Sequence, residues 1–242
     1  MVGYFVHVFN VKKGETVSTQ KTIVINIISA CAVITFAVLY IVTDSFIFKA
    51  FASISFAAAG IINFILTRNR LKEYRFFSVM LLCGLITAMI GDIVINHIFL
   101  AGAAIFAAAH IFFLLAQFRL CPPDKRSIKR DIICGAAIFL INMSILLFAP
   151  PQFRNWTTIA VCVIYAAVIS AMIGKAISNC VGMKTTFSKY MLLGTGLFLL
   201  SDTLLVIYGF MENFTLIHTI SISVYYISEI ILADSYLMLA KD

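Results

Sequence analysis

Sorted into hydrophobic and polar positions, the chain alternates long apolar runs with short polar connections. The runs fall at 22–43, 47–66, 76–96, 98–118, 132–149, 156–178, 189–210 and 214–239. A helix rises about 1.5 Å per residue, so about 20 apolar residues are needed to cross about 30 Å of hydrocarbon. Hydrocarbon offers no partner to an unpaired backbone group, so each run predicts a helix, and the strict alternation of a barrel strand is absent. The expected fold is all-α, a polytopic bundle of eight transmembrane helices.

Composition strengthens this picture. The chain is 62% hydrophobic and 12% charged, where a soluble domain has about half and about a quarter. No Pro/Ser/Gly-rich linker divides it, which predicts one integral membrane domain over residues 1–242. The first run has no small-residue cleavage site after a short core and reads as a retained span. Six scattered cysteines, with no Cys-x-x-Cys pair, read as small apolar packing residues rather than a disulfide or metal framework.

A net charge of +7 would suggest nucleic acid in a soluble chain, but here the positions of the charges decide. Lys12, Lys13 and Lys21 precede the first run; Arg68, Arg70, Lys72 and Arg75 lie between the second and third; Arg119, Lys125, Arg126, Lys129 and Arg130 lie between the fourth and fifth. With Lys175, Lys184, Lys189 and Lys241, that places 16 of 18 basic residues on one side, leaving only Lys49 and Arg154 near the other. The positive-inside rule then predicts both termini in the cytoplasm, and nucleic acid is not an expected partner. The connections on the other side are short, so the chemistry belongs to the bilayer. A bacterial inner membrane is the expected location for so compact a chain.

Four carboxylates remain inside the runs: Asp92, Asp202, Glu229 and Asp234. Each costs about 2.5–3.5 kcal/mol at the centre of a membrane helix, about 10 kcal/mol together before any pairing, so they are expected to face one another or a polar pocket. Depth along the helices brings Asp92, Asp202, His110 and Lys49 toward a common pocket on the less basic side. Across the turn at Asn96 and His97, Asp92 is expected to face His110. His97 and His218 fall at helix ends, where an imidazole is cheaply solvated. Tyr225 and Tyr226 lie one turn from Glu229 and are candidates to hydrogen-bond into the pocket. Asp92 and Asp202 stand 110 residues apart, each eight residues after a glycine, Gly84 and Gly194. That echo predicts a division into four plus four helices related as a parallel repeat.

Three segments, "GDIVINHIFLAGAAIFAAAHIFFLLAQF" from Gly91, "GTGLFLLSDTLLVIYGF" from Gly194 and "YYISEIILADSYL" from Tyr225, resemble the YhhN-like lysoplasmalogenase family of eight-helix membrane proteins. The matching pattern is a Gly-Asp in the third span, a His in the fourth, a Ser-Asp in the seventh and a Tyr-Tyr in the eighth. The resemblance implies hydrolysis of the vinyl ether bond of lysoplasmalogens to a fatty aldehyde and a glycerophospho-alcohol. It implies that Asp92 and Asp202 are the essential acidic positions, with Lys49 and His110 supporting. Two positions depart from the pattern: Glu229 stands where a Gln is expected, and Asp234 where an apolar residue is usual.

Vinyl ether hydrolysis begins with proton transfer to the β-carbon, and water then captures the oxocarbenium ion. Burial among apolar groups favours the neutral carboxylic acid such a step needs, while a second carboxylate can stay ionised and draw a proton from water. In this scheme His110 and Ser201 orient the aspartates, Lys49 holds the lipid phosphate, and no metal or cofactor is required. The expected substrate is a lysophospholipid. A metal-dependent hydrolase would need about three clustered His ligands, which the chain does not offer. The alternative reading is a proton-coupled transporter of a small molecule or lipid, which would use buried carboxylates and repeats equally well.

Overall fold

In the computed structural model, which describes residues 16–120, 125–148, 150, 156–210 and 215–241, every apolar run becomes a helix. In chain order they are α1 (Thr16–Thr43), α2 (Phe46–Thr67), α3 (Arg75–Val94), α4 (Phe99–Leu120), α5 (Lys125–Leu146), α6 (Trp156–Met183), α7 (Thr186–Phe210) and α8 (Thr215–Leu239). No strand occurs among the described residues. Arg154, and the connections at 121–124, 151–155 and 211–214, lie outside them, as do Lys12 and Lys13.

Seven of the helices are long and apolar enough to cross a membrane, and α5 is not among them. The fifth run was expected at 132–149, but helix formation starts at Lys125 and takes in Arg126, Lys129, Arg130 and Asp131. Its apolar part, 132–146, rises only about 22 Å, short of the hydrocarbon thickness.

Tight turns make the helices into antiparallel hairpins. Between α1 and α2 the chain reverses at Asp44, whose positive φ of 52° is supported by its N–H donating to Tyr40 O at 2.7 Å. The Thr43 hydroxyl then caps the exit, bonding Leu39 O and accepting from Ser45 N–H. The expected turn at Asn96 and His97 is present: Ile95 and His97 N–H groups donate to Gly91 and Val94 carbonyls. Gly102 lets α4 close on α3 there, since a Cβ at that position would lie 2.4 Å from Ile95 Cα. Gly102→Val is therefore expected to cost about 1–3 kcal/mol of stability, measured by thermal unfolding in detergent.

Neighbouring pairs α1–α2, α3–α4, α5–α6 and α7–α8 pack together, α2 and α6 pack on α3 and α7, and the pairs α2–α8 and α4–α6 join the hairpins. Adding four to a helix number, with α8 passing to α4, maps this set of pairings onto itself. The repeat is incomplete: α8 also packs on α1 and α3, which makes it the central helix. Around it lies a core of Phe56, Leu81, Leu85, Phe113, Phe198 and Tyr236. The outside is apolar as well, with Val24, Ile27, Ile28, Ile34 and Val38 of α1 about half or more exposed. Such continuous exposed apolar surface suits hydrocarbon and not water.

Candidate active site

The aspartates occupy two centres rather than one shared pocket. On α3, Asp92 is buried and its Oδ1 lies 3.0 Å from Lys49 Nζ of α2. Lys49 also donates to Asn96 Oδ1 at 2.8 Å, where α3 ends, and lies 5.8 Å from the Tyr40 ring. The other oxygen, Oδ2, accepts from Ser53 of α2 and from the Tyr226 hydroxyl of α8, the latter at 2.9 Å. With a cation and two hydroxyl donors, the charge of Asp92 is fully compensated inside the bundle.

On α7, Asp202 has no lysine partner among the described residues. Its Oδ2 accepts from the Tyr165 hydroxyl of α6 at 2.6 Å and lies 3.1 Å from His110 Nε2 of α4. The Tyr165 hydroxyl and His110 Nε2 are themselves 3.0 Å apart, and the imidazole is fully buried in a T-shaped contact with Phe198, 4.6 Å between centroids. An Nε2–H tautomer suits this geometry, because it turns the imidazole into a second donor to Oδ2.

The two centres follow the helix repeat. Asp92 on α3 is met from α2 and α8; Asp202 on α7 is met from α6 and α4. The expected facing of Asp92 and His110 is not what forms. Gly91 receives the Phe106 ring of α4, 3.2 Å from where a Cβ would stand, so residue 92, a step of about 100° around the helix, turns toward α2 and α8. His110 turns away to α6 and α7.

Between these elements Tyr225 and Glu229 of α8 lie within electrostatic reach of both aspartates. The Tyr225 ring packs on Phe56, Phe106 and Phe198 with centroids 5.4–6.0 Å away, and its hydroxyl has no hydrogen-bond partner among the described residues. Glu229 is fully buried and neither carboxyl oxygen has a partner there. Asp234, a turn further on, accepts from Asn63 at 3.2 Å.

Ser201 does not orient the aspartates. It is next to Asp202 and so points elsewhere, donating to Ser221 O at 2.9 Å while Ser221 returns the bond to Ser201 O at 2.9 Å. This pair clamps α7 to α8. Ser201→Ala is expected to cost about 1 kcal/mol of thermal stability while leaving the Asp202 centre intact. His97 and His218 pack against Phe46 and Tyr208 at helix ends, 5.0 and 4.6 Å between centroids.

A cavity of about 120 Å³ opens on the second centre. Asp202 and Tyr165 stand in its wall, and Phe99, Phe106, Cys162 and Leu199 make it apolar. Lys49, Asp92 and His110 are not among its lining residues. Among the described residues, no cluster of three His, Cys, Asp or Glu side chains could hold a metal ion.

Sequence reasoning missed Tyr165, Ser53 and Asn96 as partners. A tyrosine or serine in an apolar helix reads equally well as packing, and the only pointer was the repeat, which puts α2 and α6 in corresponding places.

Apolar outer surface, seven helices of spanning length and carboxylates paired within the bundle define an integral membrane protein of the polytopic helical class. The YhhN family model matches residues 44–236, and the chain belongs to the YhhN family. No curated protein and no solved structure matches it.

Proposed function

We propose that this chain is a lysoplasmalogenase, hydrolysing the vinyl ether bond of lysoplasmalogens within the bilayer. The observation that carries the reading is Asp202, a carboxyl group without a lysine partner among the described residues, standing in the wall of an apolar cavity with Tyr165 beside it and His110 behind. Family membership supports it through the activity that the sequence resemblance implies.

In this mechanism the proton passes through Asp202 Oδ1, the oxygen that neither Tyr165 nor His110 engages. Oδ1 protonates the β-carbon of R–CH=CH–O–R′, giving R–CH2–CH=O⁺–R′. Tyr165 and His110 stabilise the carboxylate this leaves, as donors already aimed at the charge that develops. The same carboxylate then draws a proton from the attacking water, and the hemiacetal collapses to R–CH2–CHO and HO–R′. The acid thus becomes the base, as in retaining glycosidases.

Asp92, held by Lys49, Ser53 and Tyr226 and outside the cavity lining, takes the second, supporting place, as a fixed ion pair between α2 and α3 rather than as a charge on the oxocarbenium ion. Two of Lys49's three N–H donors are directed to Asp92 and Asn96; the third is the one a substrate phosphate would take. With both termini cytoplasmic in a bacterial inner membrane, Lys49 and Asn96 lie at the outer end. The expected partners are a lysophospholipid and the bilayer, with no cofactor.

Purified protein in detergent is tested on three lysolipids with one head group: vinyl ether, saturated ether and ester. Fatty aldehyde is expected from the vinyl ether alone and in the presence of chelators. If none of the three is cleaved, while a proton gradient drives labelled solute into proteoliposomes, the transporter is the correct reading.

A further inference from the structure

Away from the aspartates, α4, α5 and α6 enclose a second polar cluster at the basic end of the bundle. Lys175 of α6 is fully buried, its Nζ 3.3 Å from Asp131 Oδ2 of α5 and 5.1 Å from the Phe118 ring of α4. Asp131 Oδ1 has no hydrogen-bond partner among the described residues. Next to Asp131 in sequence, Arg130 donates to Ser178 Oγ and O at 3.3 and 3.4 Å, which occupies two of its five N–H donors.

This pair heads a groove of about 400 Å³ along the outside of the α5–α6 hairpin. The two helices cross closely, since a Cβ on Gly174 would lie 2.7 Å from Gly135 N. Beside that crossing Ala136, Ala167 and Ala171 are too small to fill the surface, and Phe118 and Phe139 wall it. Ile132 and Leu140 are 64% and 67% exposed on the same helix. The groove is therefore apolar along its length, open to hydrocarbon and charged at one end.

Among the described residues the charge at that end is mostly basic: Arg126, Lys129, Arg130 and Lys175 stand against one carboxylate, Asp131, and Arg126 and Lys129 are exposed, while Asp124, which precedes α5 in the sequence, lies outside the described residues. Because the apolar part of α5 is short, this end sits at head-group level. Lys175 offsets Asp131, so among the described residues the outer basic residues act on an anion without a competing negative charge.

We infer that the α5–α6 groove binds an anionic phospholipid of the bilayer, one acyl chain along Ala136 and Ala171 and the phosphate at Lys129 and Arg130. An apolar groove and a basic head match that amphiphile in polarity and charge. The site is separate from Asp202 and stands whether or not the chain hydrolyses vinyl ethers.

The test is native mass spectrometry of the full chain from nanodiscs holding equal phosphatidylglycerol and phosphatidylcholine with identical acyl chains, with thermal unfolding alongside. Wild type is expected to retain phosphatidylglycerol several-fold over phosphatidylcholine and to unfold at higher temperature with it. Ala171→Phe, which fills the groove, and Lys129→Ala with Arg130→Gln, which unloads its head, should each remove the preference. Ala136→Leu fills the groove from α5 if Ala171→Phe does not fold. Equal retention of the two lipids by wild type overturns the inference, as does a preference that survives either kind of variant. Stabilisation by inorganic phosphate equal to that by phosphatidylglycerol overturns the lipid as the occupant.

Discussion

Asp202→Asn is expected to abolish aldehyde release, lowering kcat about 10²–10⁴-fold, with thermal stability little changed. The amide has the shape of the carboxyl group, and its Oδ1 can still accept from Tyr165 and His110, which now bond Oδ2 at 2.6 and 3.1 Å. What it cannot do is give up a proton to carbon. An unfolding scan beside the aldehyde assay separates lost chemistry from lost fold. Activity within a few-fold of wild type in a folded Asp202→Asn protein would move the acid elsewhere.

The second large effect concerns stability. Lys49 and Asp92 are both buried and 3.0 Å apart, so removing one partner strands the other's charge away from water. Lys49→Met and Asp92→Asn are each expected to destabilise the protein, the former by about 3–5 kcal/mol because it leaves a full carboxylate uncompensated. Asp92→Asn should cost less, since Ser53 and Tyr226 keep an acceptor in the amide while Lys49 can turn toward Asn96 and the surface. Lys49→Met combined with Asp92→Leu should recover most of the loss, because a well-packed apolar pair has no desolvation penalty. Thermal unfolding of the three variants measures this. Additive losses in the double variant would show that the pair is not the unit of stability.

The helices were legible because hydrocarbon imposes length and apolarity together, and all eight runs became helices. The fifth was misplaced at its start since basic residues do not end a helix; they only end its fitness for lipid. The two aspartates stood out for the same reason in reverse, as costly residues in apolar runs. Their partners were not legible. Which neighbour a residue meets depends on where small residues let helices close, and Gly91 under Phe106 decides that Asp92 faces α2 and α8 while His110 goes to Asp202. Ser201 shows the limit of adjacency: next to an aspartate in sequence, it faces Ser221 instead. Glu229 stands out in the sequence as a departure from the family pattern, but its lack of a partner among the described residues is a property of packing alone.

The central claim is that Asp202 delivers a proton to the β-carbon of a vinyl ether. Hydrolysis in D2O, with the aldehyde trapped at once by reduction and its deuterium located by mass spectrometry, tests it most directly. One deuterium at the carbon next to the former carbonyl, together with a rate several-fold slower than in H2O, is the predicted result. An aldehyde formed without deuterium at that carbon would contradict it.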